Sequence, residues 1–65
     1  MQMMKVTFGT ENAAFRDLDG NRNDTFEGAE ICRILREIIS KIETENAVSG
    51  AILDINGNRI GRWQR

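Results

Sequence analysis

The chain has 65 residues with no histidine, no proline and one cysteine, and its nine basic and ten acidic side chains leave a formal charge of −1. That length confines it to a single domain, 1–65, whose core supplies only about 3–5 kcal/mol net. One cysteine without histidine excludes an intrachain disulfide and the usual zinc-ligand sets, and near-cancelling charge excludes whole-molecule attraction to nucleic acid or membrane.

Charged residues at 29% and hydrophobic ones at 40% describe a folding sequence. No apolar stretch of signal-peptide length follows Met1, and no run approaches the roughly 20 apolar residues that span a bilayer. A cytoplasmic protein without a membrane partner is therefore expected, and the Asn23-Asp24-Thr25 sequon is idle. Stability must come from helix-on-sheet packing, local design or a second copy of the chain, so a homo-oligomer is one expectation.

In chain order, Met4, Val6 and Phe8 alternate with Met3, Lys5 and Thr7, the period-two pattern of a half-buried strand over about 3–8. A polar loop rich in Asn, Asp and Gly follows over 9–24. Ala13-Ala14-Phe15 can form one helical turn there, and Phe15 and Phe26 are expected to anchor the loop in the core. Ile31, Ile34, Leu35, Ile38, Ile39 and Ile42 then fall on one stripe at about 100° per residue, predicting an amphipathic helix over about 25–45. Asp24 is placed as its N-cap, with Glu27 closing a capping box and Glu27 and Glu30 facing the positive end of the dipole. Asn46 offers a left-handed C-cap, and Glu37 and Lys41 stand in the favourable i, i+4 order.

The last third reads as a hairpin over about 48–63 around Asn56-Gly57. A two-residue turn pairs Leu53 with Ile60 and Asp54 with Arg59. A longer loop with Gly57 left-handed pairs Ile52 with Ile60. The opposite charges of Asp54 and Arg59 favour the first. The order is β-α-β-β, an α+β domain in which a three-stranded sheet carries one amphipathic helix on one face.

Chemistry is sparse. Without histidine, serine and cysteine lack their usual activating partner, and a domain this small leaves little room for a pocket, so no catalytic residue and no cofactor are assigned and a non-enzymatic protein is expected. Cys32, at the edge of the stripe, reads as a small buried apolar residue. The other readings are a thiolate favoured by Arg33 and Arg36, or an intermolecular disulfide. The run Asp17 to Asp24 imitates the start of an EF-hand loop. It carries Arg22 where the glycine belongs and Gly28 where the bidentate glutamate belongs, so no metal is assigned.

Charge is nonetheless uneven along the chain. Asp17, Asp19, Asp24, Glu27 and Glu30 form an acidic stretch able to meet a basic protein groove. Arg59, Arg62, Trp63 and Arg65 form an acid-free end that suits stacking and clamping of a single-stranded nucleic acid, or an edge strand whose tryptophan completes the core.

The run from Ala29 to Ile38, followed by Ile52 to Trp63 with its Asp-x-Asn-Gly-Asn turn, resembles small proteins encoded by bacteriophages, prophages and plasmids. Such proteins begin with a short strand, carry one helix of this kind and close a hairpin on tryptophan. The resemblance covers most of the chain outside the Asn/Asp-rich loop and carries an architecture, not a chemistry. It implies a small inhibitor, anti-CRISPR proteins being among them, that occludes a surface of a host defence complex. A protein-binding module of that kind is the leading expectation, with a small nucleic-acid-binding protein as the alternative.

Overall fold

The structure is a computed structural model that describes residues 2–16, 19 and 23–65. Strand β1 (Lys5–Phe8) leads into a 3-10 turn (Ala13–Phe15), helix α1 (Asp24–Glu45) and a hairpin of β2 (Ser49–Leu53) and β3 (Arg59–Gln64). The sheet order is β1-β3-β2, with β3 central and antiparallel to both neighbours. Helix and strands enclose one small core of Ala14, Phe15, Ile34, Ile38, Ile52 and Trp63. The α+β, β-α-β-β reading of the sequence is the observed fold. The strand β1 begins at Lys5 instead of Met3, because its partner β3 ends at Gln64, the residue opposite Lys5.

Cross-strand pairs share a face of a sheet. Val6 lies opposite Trp63 and Trp63 opposite Gly50, while Phe8 and Ile52 both lie opposite Gly61, and these define the helix side. The rows Lys5–Gln64–Ser49 and Thr7–Arg62–Ala51 define the outer side. Gly61 is required at the β1–β3 crossing, since a Cβ there would overlap the Thr7 carbonyl oxygen and the Phe8 Cα. Phe8 also stacks on Phe15 with ring centroids 6.3 Å apart, tying the 3-10 turn to β1.

The N-terminus of α1 corrects the capping expectation. Asn23, extended at φ −139° and ψ 114°, is the N-cap, and its Oδ1 accepts from the Phe26 amide at 3.0 Å. Asp24 already lies in the first helical turn, so an Asp24–Glu27 capping box does not form. At the other end Asn46 adopts the left-handed conformation expected of it, φ 51° and ψ 37°. Arg65 completes that cap: its Nε donates to the Ala47 carbonyl at 2.8 Å and its Nη2 to Asn46 Oδ1 at 2.8 Å. A cation over the last carbonyls also suits the negative end of the helix dipole.

The hairpin combines the two registers that the sequence offered. Ser49 to Ile52 pair with Gln64 to Gly61 in the ladder that a two-residue turn implies. Between Ile52 and Leu53 the register slips, Leu53 meets Arg59, and Ile60 is left as a bulge. None of the expected pairs Leu53–Ile60, Asp54–Arg59 and Ile52–Ile60 forms, since Ile52 meets Gly61 and Ile60 is left unpaired. The loop end is the longer form, with Gly57 at φ 85°, its amide on the Asp54 carbonyl at 3.0 Å and the Asp54 amide on the Asn58 carbonyl at 2.9 Å.

The cause of the slip is the Asp54 side chain. It is buried instead of facing Arg59, and its Oδ1 accepts from the Asn56 and Asn58 amides, each at 2.9 Å. Its Oδ2 accepts from Asn58 Nδ2 at 3.2 Å and from Asn12 Nδ2. Four donors on one carboxylate outweigh one exposed cross-strand ion pair, which is worth at most about 1 kcal/mol.

Candidate interaction surfaces

The burial line of α1 does not follow its apolar stripe. Glu30, Ile34 and Ile38, spaced four apart, are the buried row, whereas Leu35 is 41% and Ile39 52% exposed. At 100° per residue that row lies roughly 70° from the middle of the stripe. The displacement follows from Glu30, which takes a core-facing position because its carboxylate has work there. It accepts from Arg33 Nε at 2.6 Å, from Arg33 Nη2 at 3.2 Å and from the Ile55 amide at 3.0 Å. Arg33 Nη2 also donates to the Leu53 carbonyl at 3.0 Å. The pair pins the middle of α1 to the β2–β3 loop, and the hydrogen bond that Arg33 donates to Glu30 holds the guanidinium pKa above its ordinary value against the opposing effect of burial.

Rotated this way, α1 turns Glu37 and Lys41 toward the β2 edge, where with Ala51 and Leu53 they rim a shallow hollow over Ile34, Ile38, Ile52 and Trp63. Lys41 pairs with Glu45 at 3.8 Å, not with Glu37 as the spacing suggested. Leu35 and Ile39 lie on the opposite flank, the side away from β2. Phe26, expected in the core, is 42% exposed one turn into the helix. Cys32 is exposed too, which corrects its reading as a buried apolar residue.

The acidic stretch is divided by the fold. Asp19 and Asp24 are exposed and Glu27 is half-buried, while Glu30 is turned inward and consumed by Arg33 and Ile55. Asp17 lies outside the described residues, as do Gly20 and Arg22 of the EF-hand-like run. Among the described residues no three acidic or cysteine side chains gather to hold a metal ion.

The Arg/Trp end is likewise divided. Trp63 is 1% exposed and fills the centre of the core, so its ring has no face to offer a base. Arg65 is engaged on the helix C-cap. Arg59 and Arg62 remain exposed on β3. A basic residue that the sequence did not group with this end, Lys5, is placed by β1 on the same outer face as Arg62. Its signal lay in composition by strand: β1, β2 and β3 contain Lys5, Arg59 and Arg62 and no acid.

Asp54 and Asn12 form the other polar cluster. Burial pushes the Asp54 carboxyl up, but the donors from Asn58, Asn56 and Asn12 together hold it below the usual carboxylate range. Asn12 Oδ1 is buried without a hydrogen-bond partner. The carboxylate is saturated by N–H groups, so the cluster organises the loop and presents no ligand site. No helix of the described chain is long and apolar enough to cross a membrane. Comparison with protein-family models, with curated proteins and with solved structures returned no match.

Proposed function

We propose that the chain is a non-enzymatic protein-binding module that acts by covering a partner's surface, in the manner of the small mobile-element inhibitors its sequence resembles. The observation that carries this reading is the displaced burial of α1, which leaves Leu35 and Ile39 exposed beside Ile31 and Ile42 in a chain this short on core. A monomer gains nothing from wetting two of the six residues of its strongest apolar stripe, whereas an apolar patch rimmed by charge is the usual centre of a protein interface. Arg36 and Glu43 stand beside it on the helix, and Asp24 and Glu27 lie at its N-terminal end, as a polar rim. That moves the contact from the acidic stretch itself to the helix flank next to it.

The test is capture of tagged protein from a nuclease-treated bacterial lysate, beside the Leu35→Ser/Ile39→Ser double variant and the Asp19→Lys/Asp24→Lys double variant. A stoichiometric protein retained by the parent chain, lost by the first variant and weakened severalfold by the second is the expected result. Equal retention by the parent chain and the Leu35/Ile39 variant contradicts the reading.

A further inference from the structure

The outer face of the sheet is the second unpartnered surface, and its chemistry differs from that of the helix flank. In a regular strand Arg59 and Arg62, three residues apart, would point to opposite faces. The bulge at Ile60 resets that alternation. Ile60 packs against the core and Gly61 lies opposite Phe8 and Ile52, so two successive residues take the helix side. Arg59, opposite Leu53, and Arg62, opposite Thr7 and Ala51, therefore share the outer face. Lys5 joins them from β1, diagonal to Arg62 across the ladder, at a spacing of roughly 7–8 Å.

Around these three cations stand Thr7, Ser49 and Gln64, and all three strands lack an acidic residue. Lys5 and Arg59 make no ion pair among the described residues, and Arg62 makes only a 3.3 Å hydrogen bond to Gln64 Oε1. Among the described residues the acids lie outside the strands: Glu11 and Asp19 are on loops, Asp54 is buried in the β2–β3 loop, and the rest are on α1. A molecule of formal charge −1 thus carries a face of three positive charges.

We propose that this face docks the phosphate backbone of double-stranded DNA. Arg, Lys, Ser, Thr and Gln are the side chains that contact phosphate oxygens. A protein partner is the poorer fit, since Arg62 holds the middle of the face, with only Ala51 and Leu53 as apolar residues along the β2 edge and no aromatic anchor for a buried hot spot. A single strand is the poorer fit as well: Trp63 points to the core, so the face has no ring on which bases stack, and duplex DNA supplies a higher charge density, which recognition by charge alone exploits. The contact is independent of base sequence. It does not rest on the protein-binding reading, because the two surfaces lie on opposite layers.

The test is fluorescence anisotropy of a short labelled duplex and its single strand against the parent chain and two variants. In one, Lys5, Arg59 and Arg62 are all replaced by Gln. In the other, Arg36→Gln removes one charge from the exposed helix face. Far-UV circular dichroism and melting confirm that both variants fold.

The expected result is duplex binding with a dissociation constant of roughly 10⁻⁴–10⁻⁶ M. With three phosphates neutralised, affinity should fall by about 40-fold between 50 and 200 mM salt. It should drop at least about tenfold in the triple variant and stay within about twofold in Arg36→Gln. Absence of duplex binding at 50 mM salt, equal or tighter binding of the single strand, or a loss in Arg36→Gln matching that in the triple variant overturns the proposal.

Discussion

At the scale of single residues, Asp54 shows how one side chain decides a register. Its folded-state pKa is depressed, so its contribution to stability is fully present above the unfolded carboxylate value of about 3.9 and is lost as pH falls through the folded value. Asp54→Asn removes that dependence and also loses acceptor capacity toward the amides of Asn56 and Asn58. The variant should melt lower at neutral pH, and its difference from the parent chain should shrink below about pH 4. A constant difference across that range in thermal melts would show that the carboxylate charge is not what holds the loop. Asn23→Ala should cost about 1 kcal/mol in denaturant unfolding, while Asp24→Ala should cost clearly less, because the cap is Asn23.

Asp54 also shows where the sequence was legible and where it was not. Asn56-Gly57 announced a turn, and both candidate registers proved to be present, one in the ladder and one in the loop. What could not be read was the fourth donor on Asp54, Asn12, which comes from 42 residues away; the other three are local to the loop. The capture of Arg65 by the helix end is of the same kind, settled by a partner distant in sequence.

At the scale of elements, α1 was the most legible part of the chain, and its extent, Asp24–Glu45, follows the 3.6-residue period closely. Its rotation was not legible, because the period defines a stripe but not which edge of it meets the sheet. The ion pair of Glu30 and Arg33 with the β2–β3 loop settles that, and polar residues inside a helix are invisible to a hydrophobic count. The consequence is a contrast in energetics along one helix. Ile34→Ala should cost about 2–4 kcal/mol, most of the stability of so small a domain, whereas Leu35→Ala and Ile39→Ala should each cost less than about 1 kcal/mol in urea unfolding. Comparable losses at all four-apart and three-apart positions would mean that the stripe is covered evenly. Gly61→Ala should detach β1 from β3 and unfold or loosen the domain, with Thr7 and Phe8 displaced by the new Cβ.

At the scale of the whole molecule, the chain is a thin two-layer object with different chemistry on its two sides. One side is a helix whose apolar flank lies beside carboxylates. The other is a flat, acid-free sheet face with three cations. The sequence showed the uneven charge along the chain and grouped Arg59, Arg62, Trp63 and Arg65 as one end, either a clamp for a single strand or an edge strand whose tryptophan completes the core. Trp63 does complete the core, but on the central strand and not an edge one; Arg65 goes to the helix cap, and the bulge at Ile60 leaves Arg59 and Arg62 on one face, where Lys5 joins them. The exposed flank of α1 is the physical support for the proposed protein-binding role.

The account turns on the rotation of α1, and thiol labelling along the helix measures it directly. In a Cys32→Ser background, single cysteines at positions 34, 35, 38 and 39 are mixed with a thiol reagent under native conditions. Cysteines at 35 and 39 should react at close to the rate of the denatured chain. Those at 34 and 38 should react at least about tenfold more slowly, because labelling there waits for an opening that costs more than about 1.4 kcal/mol. Protection at 35 and 39 equal to that at 34 and 38 would show that the apolar stripe is already covered, and the proposed binding flank would not exist.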